Sequence, residues 1–358
     1  MLDKNRFFVD PDIAKAESLP PEAFTSKEFL ELEIEKIFKR FWLFAPVEIP
    51  RGKNKWAPFD ILERKLFLAA DEAETLRVFP NACTHKWSGL IREKGSGTKI
   101  ICPYHGRQFD LGGKFIFQPR CGALEYFPRA EDNLKNLRSD RRYNFLFVNF
   151  DGPVVSLGEI FNPISRFLFY SPIEDAVPCG PEKIKIDGNW KSHIDNYVDE
   201  SHLLFVHQDL VRETEIASYE TKLYKFTSAR WVYAKDPEDG FGLPGFSKPI
   251  FGFWWHIFPN ITINVWKGGI SVNSYEPDLE DPGKTNLIIC NYIWNKKEFE
   301  KIRKKWAKMT VDKEDLDVVG GVHGVIKHTP APRGRFTPDG ERACHWFQHL
   351  VHESIFEK

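Results

Sequence analysis

The first regular pattern along the chain is a helical spacing of apolar residues. Within residues 24–42, Phe29, Ile34 and Phe38 fall on one face of a helix, which predicts an amphipathic helix over this segment. Thr25 or Ser26 is the candidate N-cap, because a hydroxyl oxygen there can accept a hydrogen bond from the first turn.

The pattern changes to short β-type runs between residues 43 and 155. Runs such as LFLAA, LRVFP, KIICPY and NFLFVNF are separated by Gly, Asn and Asp. Short apolar runs interrupted by turn residues are typical of strands joined by tight connections. This part of the chain therefore predicts a compact all-β unit.

The second half combines helices with a further set of strands. Residues 189–210 predict a helix, and runs such as IFGFWWHIF, ITINVW and NLIICNYIW predict strands. Helical spacing returns over residues 296–310 and 314–327. A sheet wrapped around a long helix encloses a pocket, so the whole chain is expected to be an α+β protein with two main domains.

Composition restricts the class of function. The 358 residues carry 50 basic and 51 acidic side chains, so no strong net charge favours nucleic acid or an anionic membrane as partner. No apolar run is long enough to span a bilayer, and the first residues lack the apolar core of a secretory signal. Six cysteines without a C-x-x-C pair do not form a disulfide framework. We expect a cytoplasmic protein that acts on a small molecule.

Two mixed Cys/His motifs form the first chemical signal. Cys83-Thr84-His85 is followed, after sixteen intervening residues, by Cys102-Pro-Tyr-His105. Zinc fingers more often pair Cys with Cys and His with His. One thiolate and one imidazole in each motif suit a two-iron cluster in which one iron takes both cysteines and the other both histidines. A structural zinc site is the alternative.

A second constellation lies in the predicted helix. Asn196, Asp199, His202 and His207 form the spacing N-x-x-D-x-x-H-x-x-x-x-H. On a regular helix the two histidines would lie about 140° apart, so both can face one metal only if the helix is interrupted or bulged between them. Two imidazoles and one carboxylate on one face of an iron leave positions open for dioxygen.

The carboxylate of such a triad must come from elsewhere in the chain. The segment KEDLDVVGGV places acidic residues within an apolar helical stripe. Asp315 is the best candidate, and Glu314 and Asp317 are the alternatives. An acidic, solvated helix start would produce the same pattern without a metal.

The residues around the first two motifs resemble a known family. CTHKWSGLIREKGSGTKIICPYHGRQFDLGGKF is similar to the Rieske domain of ring-hydroxylating oxygenases, and the likeness continues through Gly113 and Phe115. One departure is Arg107, where the family usually has Trp. Because that position lies near the cluster surface in relatives, the departure affects the expected docking surface for a reductase and not the ligation.

The resemblance implies a domain organisation and a set of roles. A helical segment over residues 1–42 packs on a catalytic domain over 156–358, and residues 43–155 form the Rieske domain. The catalytic domain has the helix-grip fold, an antiparallel sheet around a long helix. The resemblance implies that a [2Fe–2S] cluster is held by Cys83, His85, Cys102 and His105. It implies that a mononuclear Fe(II) is held by His202, His207 and Asp315. Asp199 would connect the two centres across a subunit interface, and Asn196 would lie behind the iron ligands.

The same resemblance implies a reaction and partners. A separate NAD(P)H-dependent reductase, with or without a ferredoxin, supplies electrons, and no nucleotide-binding glycine motif in this chain replaces it. Cluster and iron of one subunit lie too far apart, which implies a head-to-tail homotrimer. The expected activity is O₂-dependent mono-oxygenation or oxidative demethylation of a small organic substrate. The alternatives are a cis-dihydroxylating arene dioxygenase that serves aromatic hydrocarbon catabolism and a Rieske electron carrier without oxygenase activity.

Two weaker signals lie outside these motifs. His345, His349 and His352 share one face of a predicted C-terminal helix, and a polar face or a subunit contact is favoured over a metal site. A group of aromatic residues either lines a substrate cavity or fills the core of the sheet, with the core as the default. Its members are Phe251, Phe253, Trp254, Trp255 and Trp266.

Overall fold

The structure, a computed structural model, describes residues 2–152, 155–169 and 172–357. It divides into two compact units, Trp42–Gly152 and the combination of Met1–Phe41 with Pro153–Lys358. None of the helices in the described residues is both long enough and apolar enough to cross a membrane.

The N-terminal segment contains two short helices in place of the single helix predicted over residues 24–42. Helix α1 (Glu22–Thr25) ends at Ser26, which has extended backbone angles, and α2 (Lys27–Glu33) runs on into a π-helical turn at Ile34–Phe38. The Ser26 hydroxyl oxygen accepts a hydrogen bond from the Phe29 N–H at 3.3 Å. The predicted cap is therefore correct, but the continuous helix is wrong because capping requires a non-helical residue there.

The Trp42–Gly152 unit is built from ten short strands in three antiparallel sheets. The strands are β1 (Leu43–Ala45), β2 (Lys55–Ile61), β3 (Arg64–Ala70), β4 (Leu76–Pro80), β5 (Gly95–Ser96), β6 (Ile100–Ile101), β7 (Gln108–Phe109), β8 (Phe115–Phe117), β9 (Arg138–Arg142) and β10 (Phe145–Asn149). Their orders are β4-β3-β2-β5, β6-β7-β8 and β1-β10-β9. Fully buried Phe67, Phe79 and Phe109 form part of the core between them, as expected for an all-β unit.

The other unit is a seven-stranded antiparallel sheet with helices. Its elements are α3 (Leu157–Phe169), β11 (Val177–Asp187), α4 (Trp190–Val198), α5 (Leu203–Val206), α6 (Gln208–Glu213), β12 (Glu220–Leu223), β13 (Thr227–Tyr233), β14 (Ile250–Ile257), β15 (Ile261–Trp266), β16 (Gly269–Pro277), β17 (Lys284–Ile293), α7 (Lys296–Met309), α8 (Val311–His328) and α9 (Arg342–Phe356). The strand order is β11-β17-β16-β15-β14-β13-β12. Only α3, which contains Pro163, has no counterpart among the predicted helices.

Side chains of the central strands alternate between two environments. Phe253 and Trp255 of β14 lie on one face, where Phe253 stacks on Trp231 at a centroid separation of 5.4 Å. Trp254 points to the opposite face, towards α4 and α7, as the two-residue period of a strand requires. The face that carries Trp254 forms one wall of a cavity.

A buried ion pair anchors α4 to the N-terminal segment. Lys191 Nζ lies 2.5 Å from Glu33 Oε1, and neither side chain is exposed. The Trp190 indole N–H donates to the other Glu33 oxygen at 3.1 Å. Burial raises the pKa of Glu33 and lowers that of Lys191, so each charge depends on the other for its stability.

Removing one member of this pair should destabilise the protein more than removing both charges. Lys191→Met leaves the Glu33 carboxylate without a counter-ion in the core, which costs about 3–5 kcal/mol. Glu33→Gln/Lys191→Met buries no unpaired charge and keeps an acceptor for the Trp190 N–H. Thermal unfolding followed by tryptophan fluorescence should give the double variant a higher melting temperature than Lys191→Met. A lower melting temperature for the double variant would show that the Glu33–Lys191 ion pair does not anchor α4 to the N-terminal segment.

Candidate metal centres and active site

The two Cys/His motifs of the Trp42–Gly152 unit fold into equivalent turns. Cys83 follows β4 and Cys102 follows β6. In each turn the N–H four residues after the cysteine, that of Trp87 or Gly106, donates to the cysteine carbonyl at 3.0 Å. Trp87 and Gly106 both have positive φ, 57° and 69°, which reverses the chain direction. The two turns present their side chains to one another.

The four side chains of these turns are a suitable donor set for the cluster. The two thiols are buried and hydrogen-bond to each other, while the His85 and His105 ring centroids lie 4.9 Å apart. Burial opposes ionisation of Cys102, but the backbone N–H groups of Tyr104 and His105 lower the pKa of its thiol. The His85 Nδ1 atom is buried without a hydrogen-bond partner in the described residues, as an unused ligand atom would be. The residues present therefore fit a two-thiolate, two-imidazole cluster.

Arg107 does not lie on the surface near this site. The residue is 4% exposed, so this position lies beneath the surface of the unit, and any effect on a docking surface stays a prediction. Two large apolar residues of these turns are exposed, Trp87 and Tyr104, at 81% and 64%.

In the other unit, the helix predicted over residues 189–210 is interrupted twice. Helix α4 ends at Val198, α5 covers only Leu203–Val206, and His207 has φ −104° and ψ 62° between α5 and α6. The Asp199 carboxylate stops α4 by accepting the N–H of Ser201 at 2.8 Å and that of His202 at 3.2 Å. The expected interruption is present, as a break between short helices and not as a π-bulge.

This interruption brings three predicted ligand residues to one point. His202 Nε2 and His207 Nε2 lie 3.2 Å apart, and Asp315 Oδ1 of α8 lies 3.5 Å and 2.9 Å from them. One ligand atom from each residue falls within 4.8 Å of the others, a spacing that accommodates a metal ion. Two imidazoles and a carboxylate form the donor set of non-haem Fe(II) oxygenases.

Each of the three residues is held from behind by a second polar group. His202 Nδ1 lies 3.1 Å from Asp199 Oδ2, and His207 Nδ1 lies 2.7 Å from Glu314 Oε2. The Asn196 amide donates to Asp315 Oδ1 at 2.7 Å. Carboxylates behind imidazole ligands fix the ring orientation and raise its basicity.

The electrostatics of this group favour a bound cation. Burial works against a charge on His202, but its hydrogen bonds to Asp199 and Asp315 raise its pKa to about 9. Burial opposes ionisation of Asp315 in turn, yet the two imidazoles lower its pKa to about 2. Three carboxylates around two imidazoles thus create a negative field that a metal ion neutralises.

Two connected cavities extend from the triad between the helices and the sheet. One has a volume of about 120 Å³ and the other about 310 Å³. The residues that line both include Asn196, Tyr197, Trp266, Trp306, Asp312 and Asp315. A third cavity, of about 340 Å³, reaches Asn196 and Asp199 and is also lined by Asp195 and Glu341.

Comparison with protein families agrees with both centres. The model for the ring-hydroxylating alpha subunit (catalytic domain) matches residues 173–356, and the Rieske [2Fe–2S] domain model matches residues 39–128. The chain belongs to the ring-hydroxylating alpha-subunit family. It is a Rieske-type oxygenase, with a [2Fe–2S] cluster and a mononuclear iron as cofactors.

Individual relatives of this Rieske oxygenase match along almost its whole length. The carnitine monooxygenase oxygenase subunit of Acinetobacter pittii (strain PHEA-2) is 25% identical over 366 residues, 96% of each chain. The chloroplastic choline monooxygenase of Beta vulgaris is 24% identical over 97% of this chain and 79% of its own length. A crystal structure of a quaternary ammonium Rieske monooxygenase has a TM-score of 0.84 at 21% identity and covers 99% of this chain and 98% of its own.

The weaker signals of the oxygenase sequence have structural explanations. His345 Nε2 bonds to the carbonyl of Asp10 at 2.7 Å, and His349 Nδ1 to that of Val9 at 3.0 Å. These histidines hold the N-terminal segment of the same chain. Of the five aromatic residues, Trp254 and Trp266 line the cavity beside the triad and are also buried members of the core, so the two interpretations do not exclude each other.

Two carboxylates were not predicted in the roles they occupy. Glu314, an alternative ligand by sequence, lies behind His207, and Asp312 faces the cavity one helical turn before Asp315. Residues three apart on α8 share a face, which is the signal that would have identified Asp312. The role of Glu314 depends on how α8 meets α5 and has no local signal.

Replacing Glu314 should weaken the mononuclear centre of the oxygenase selectively. Glu314→Ala removes the acceptor for His207 Nδ1, and loss of such a partner typically costs about 10–100-fold in metal affinity. Iron and acid-labile sulfide analysis after mild chelation should show the mononuclear iron lost while the Rieske signal in electron paramagnetic resonance (EPR) stays intact.

Two further variants calibrate this measurement. Asp317→Ala on the same helix should retain the iron, whereas His202→Ala/His207→Ala should lose it entirely. Equal retention of the mononuclear iron by Glu314→Ala and Asp317→Ala would show that Glu314 does not support the mononuclear centre.

Proposed function

We propose that the chain is the terminal monooxygenase component of a Rieske system and hydroxylates or oxidatively demethylates a small quaternary ammonium compound. The observation that carries the substrate class is a cavity in which aromatic faces and the Asp312 carboxylate lie beside His202, His207 and Asp315. The relatives named for carnitine, choline and quaternary ammonium oxidation support the same class.

Four aromatic side chains form a continuous wall of this cavity, the aromatic wall. They are Tyr219, Trp254, Trp266 and Trp306. Successive ring centroids along the wall are 6.2 Å, 5.9 Å and 4.6 Å apart. Aromatic faces attract quaternary ammonium groups through the negative charge of their π-systems, with indole the strongest. The wall is thus suited to a trimethylammonium group that cannot donate hydrogen bonds.

Asp312 supplies the negative charge that such a substrate requires. Its carboxylate accepts the Trp306 indole N–H at 2.9 Å, which holds it against the aromatic wall. Burial raises the pKa of Asp312, as expected for a carboxylate whose counter-ion arrives with a ligand. An arene substrate has no charge to balance Asp312. The arene dioxygenase alternative and a role in aromatic hydrocarbon catabolism are therefore disfavoured.

The remaining residues of the site hold the reacting groups in place. His202, His207 and Asp315 would hold the iron, which supplies the activation of dioxygen with electrons from the cluster. Asp199, Glu314 and Asn196 keep these three residues in position. The aromatic wall excludes water and places the carbon bonded to nitrogen next to the triad.

Electron supply requires a separate NAD(P)H-dependent reductase and contact between copies of the chain. Exposed apolar residues flank both centres: Trp87 and Tyr104 beside the cluster turns, Leu204 and Phe205 between the two histidines. Exposed apolar groups of this kind mark protein contacts. We assign them to a head-to-tail homotrimer, in which Asp199 of one copy meets His105 of the next.

The oligomeric state gives a direct test of this assignment. The purified oxygenase should have the mass of three chains in light scattering. Phe205→Glu should dissociate it to monomers that retain both metal centres but no longer turn over. A monomeric wild type with full activity would contradict the trimer.

The substrate class is tested with a charged compound and its neutral isostere. With a reductase present, trimethylammonium substrates such as carnitine or choline should stimulate oxygen consumption and yield a hydroxylated or demethylated product. Asp312→Asn should raise KM for them about tenfold or more, because a desolvated charge partner is lost.

The isostere separates a charge effect from general damage. Affinity for an analogue with carbon in place of nitrogen should be unchanged in Asp312→Asn, and Asp317→Asn should affect neither compound. Turnover of naphthalene-like arenes with no turnover of any quaternary ammonium compound would contradict the proposal.

A further inference from the structure

Arg107 makes several polar side-chain contacts inside the Trp42–Gly152 unit. Its Nε donates to Gln118 Oε1 at 2.8 Å, and one terminal nitrogen donates to Thr84 Oγ1 at 2.8 Å and to Asp132 Oδ1 at 3.1 Å. The Arg107 and Asp132 side chains are 5% and 15% exposed. A guanidinium held in this way is a fixed, permanent positive charge.

The surroundings of this charge exclude water. The guanidinium carbon lies 5.1 Å from the ring centroid of Phe115 and 5.5 Å from that of Phe127. Electrostatic interactions are stronger in such an environment than at the surface, because little solvent screens them. Solvent therefore screens the charge of Arg107 less than it would at the surface.

Arg107 connects the two turns that carry the cluster ligands. Its carbonyl accepts the Cys102 N–H at 2.8 Å, in the second turn. Its side chain bonds to Thr84, which stands between Cys83 and His85 in the first turn. The guanidinium thus contacts the ligand-bearing segment of the first turn, while the Arg107 backbone is hydrogen-bonded within the second.

We propose that Arg107 sets the reduction potential of the Rieske cluster by placing a buried positive charge beside it. A cluster gains one negative charge when it takes up an electron, so a nearby cation stabilises the reduced form. The effect of Arg107 is to make this cluster easier to reduce. It is a positioning residue, since it acts on the cluster through charge and through Thr84 and not by ligation.

Asp132 provides the opposite contribution. Its carboxylate pairs with Arg107 and also accepts the Arg129 N–H at 2.9 Å. It offsets part of the guanidinium charge felt by the cluster. Neutralising Asp132 should therefore shift the potential in the direction opposite to neutralising Arg107, which no general loosening of the site would do.

The test is a redox titration of the intact oxygenase, in which dithionite supplies one electron per cluster through mediators and EPR measures the reduced fraction. Arg107→Met should lower the equilibrium constant for reduction about tenfold, equivalent to about 59 mV for a one-electron couple. Arg107→Lys keeps the charge and should stay within about twofold of wild type. Asp132→Asn keeps the shape and should raise the potential.

A matched control removes an arginine–aspartate pair elsewhere in the same unit. Arg77 pairs with Asp71 at 2.5 Å near the start of β4, the end away from Cys83, and Arg77→Met should leave the potential unchanged. Iron and sulfide content and the EPR line shape verify that each variant holds an intact cluster. Equal shifts in Arg107→Met and Arg107→Lys, or shifts of the same sign in Arg107→Met and Asp132→Asn, would overturn the proposal in favour of a purely structural role.

Discussion

The active site depends on two interruptions of a helix. Two histidines five residues apart would point about 140° away from each other on a continuous helix. The Asp199 carboxylate ends α4 by bonding to the backbone of Ser201 and His202, and the unusual dihedral angles of His207 turn the chain again. The same Asp199 carboxylate bonds the His202 ring. Asp199 therefore holds the break before His202 and orients its ring, while the non-helical angles of His207 change the direction of the second imidazole.

Helix α8 supplies the other half of the site through its regular geometry. Asp312 and Asp315 are three residues apart, so both face the cavity, one against the aromatic wall and one against the histidines. Glu314 points to the side and reaches the far nitrogen of His207. The site thus combines an irregular segment, which aims two imidazoles, with a rigid helix, which places three carboxylates at fixed offsets.

The parts of this arrangement that depend on local sequence could be predicted, and those that depend on packing could not. The Cys/His turns, the break near His202 and the choice of Asp315 follow from spacing and from a family resemblance. The role of Glu314 requires knowing how α8 meets α5, 107 residues away in sequence. Strand alternation separates Trp254 from Trp255, but which of the two faces the cavity is decided by the helices that cover the sheet. The continuous helix over residues 24–42 was wrong because Ser26, with extended backbone angles, ends α1 through its N–H and begins α2 through its hydroxyl.

Charged side chains near the two metal centres connect the proposed substrate to the redox chemistry. Near the cluster, we propose that the buried guanidinium of Arg107, partly offset by Asp132, favours the reduced state, whereas Asp199, Asp315 and Glu314 favour a higher positive charge at the mononuclear centre. A trimethylammonium group held at Asp312 offsets part of that negative field. Under the proposed function, the positive charge of the bound substrate therefore stabilises the less positively charged state of the iron by electrostatic interaction. A neutral arene in the same cavity would leave the field of these carboxylates unchanged.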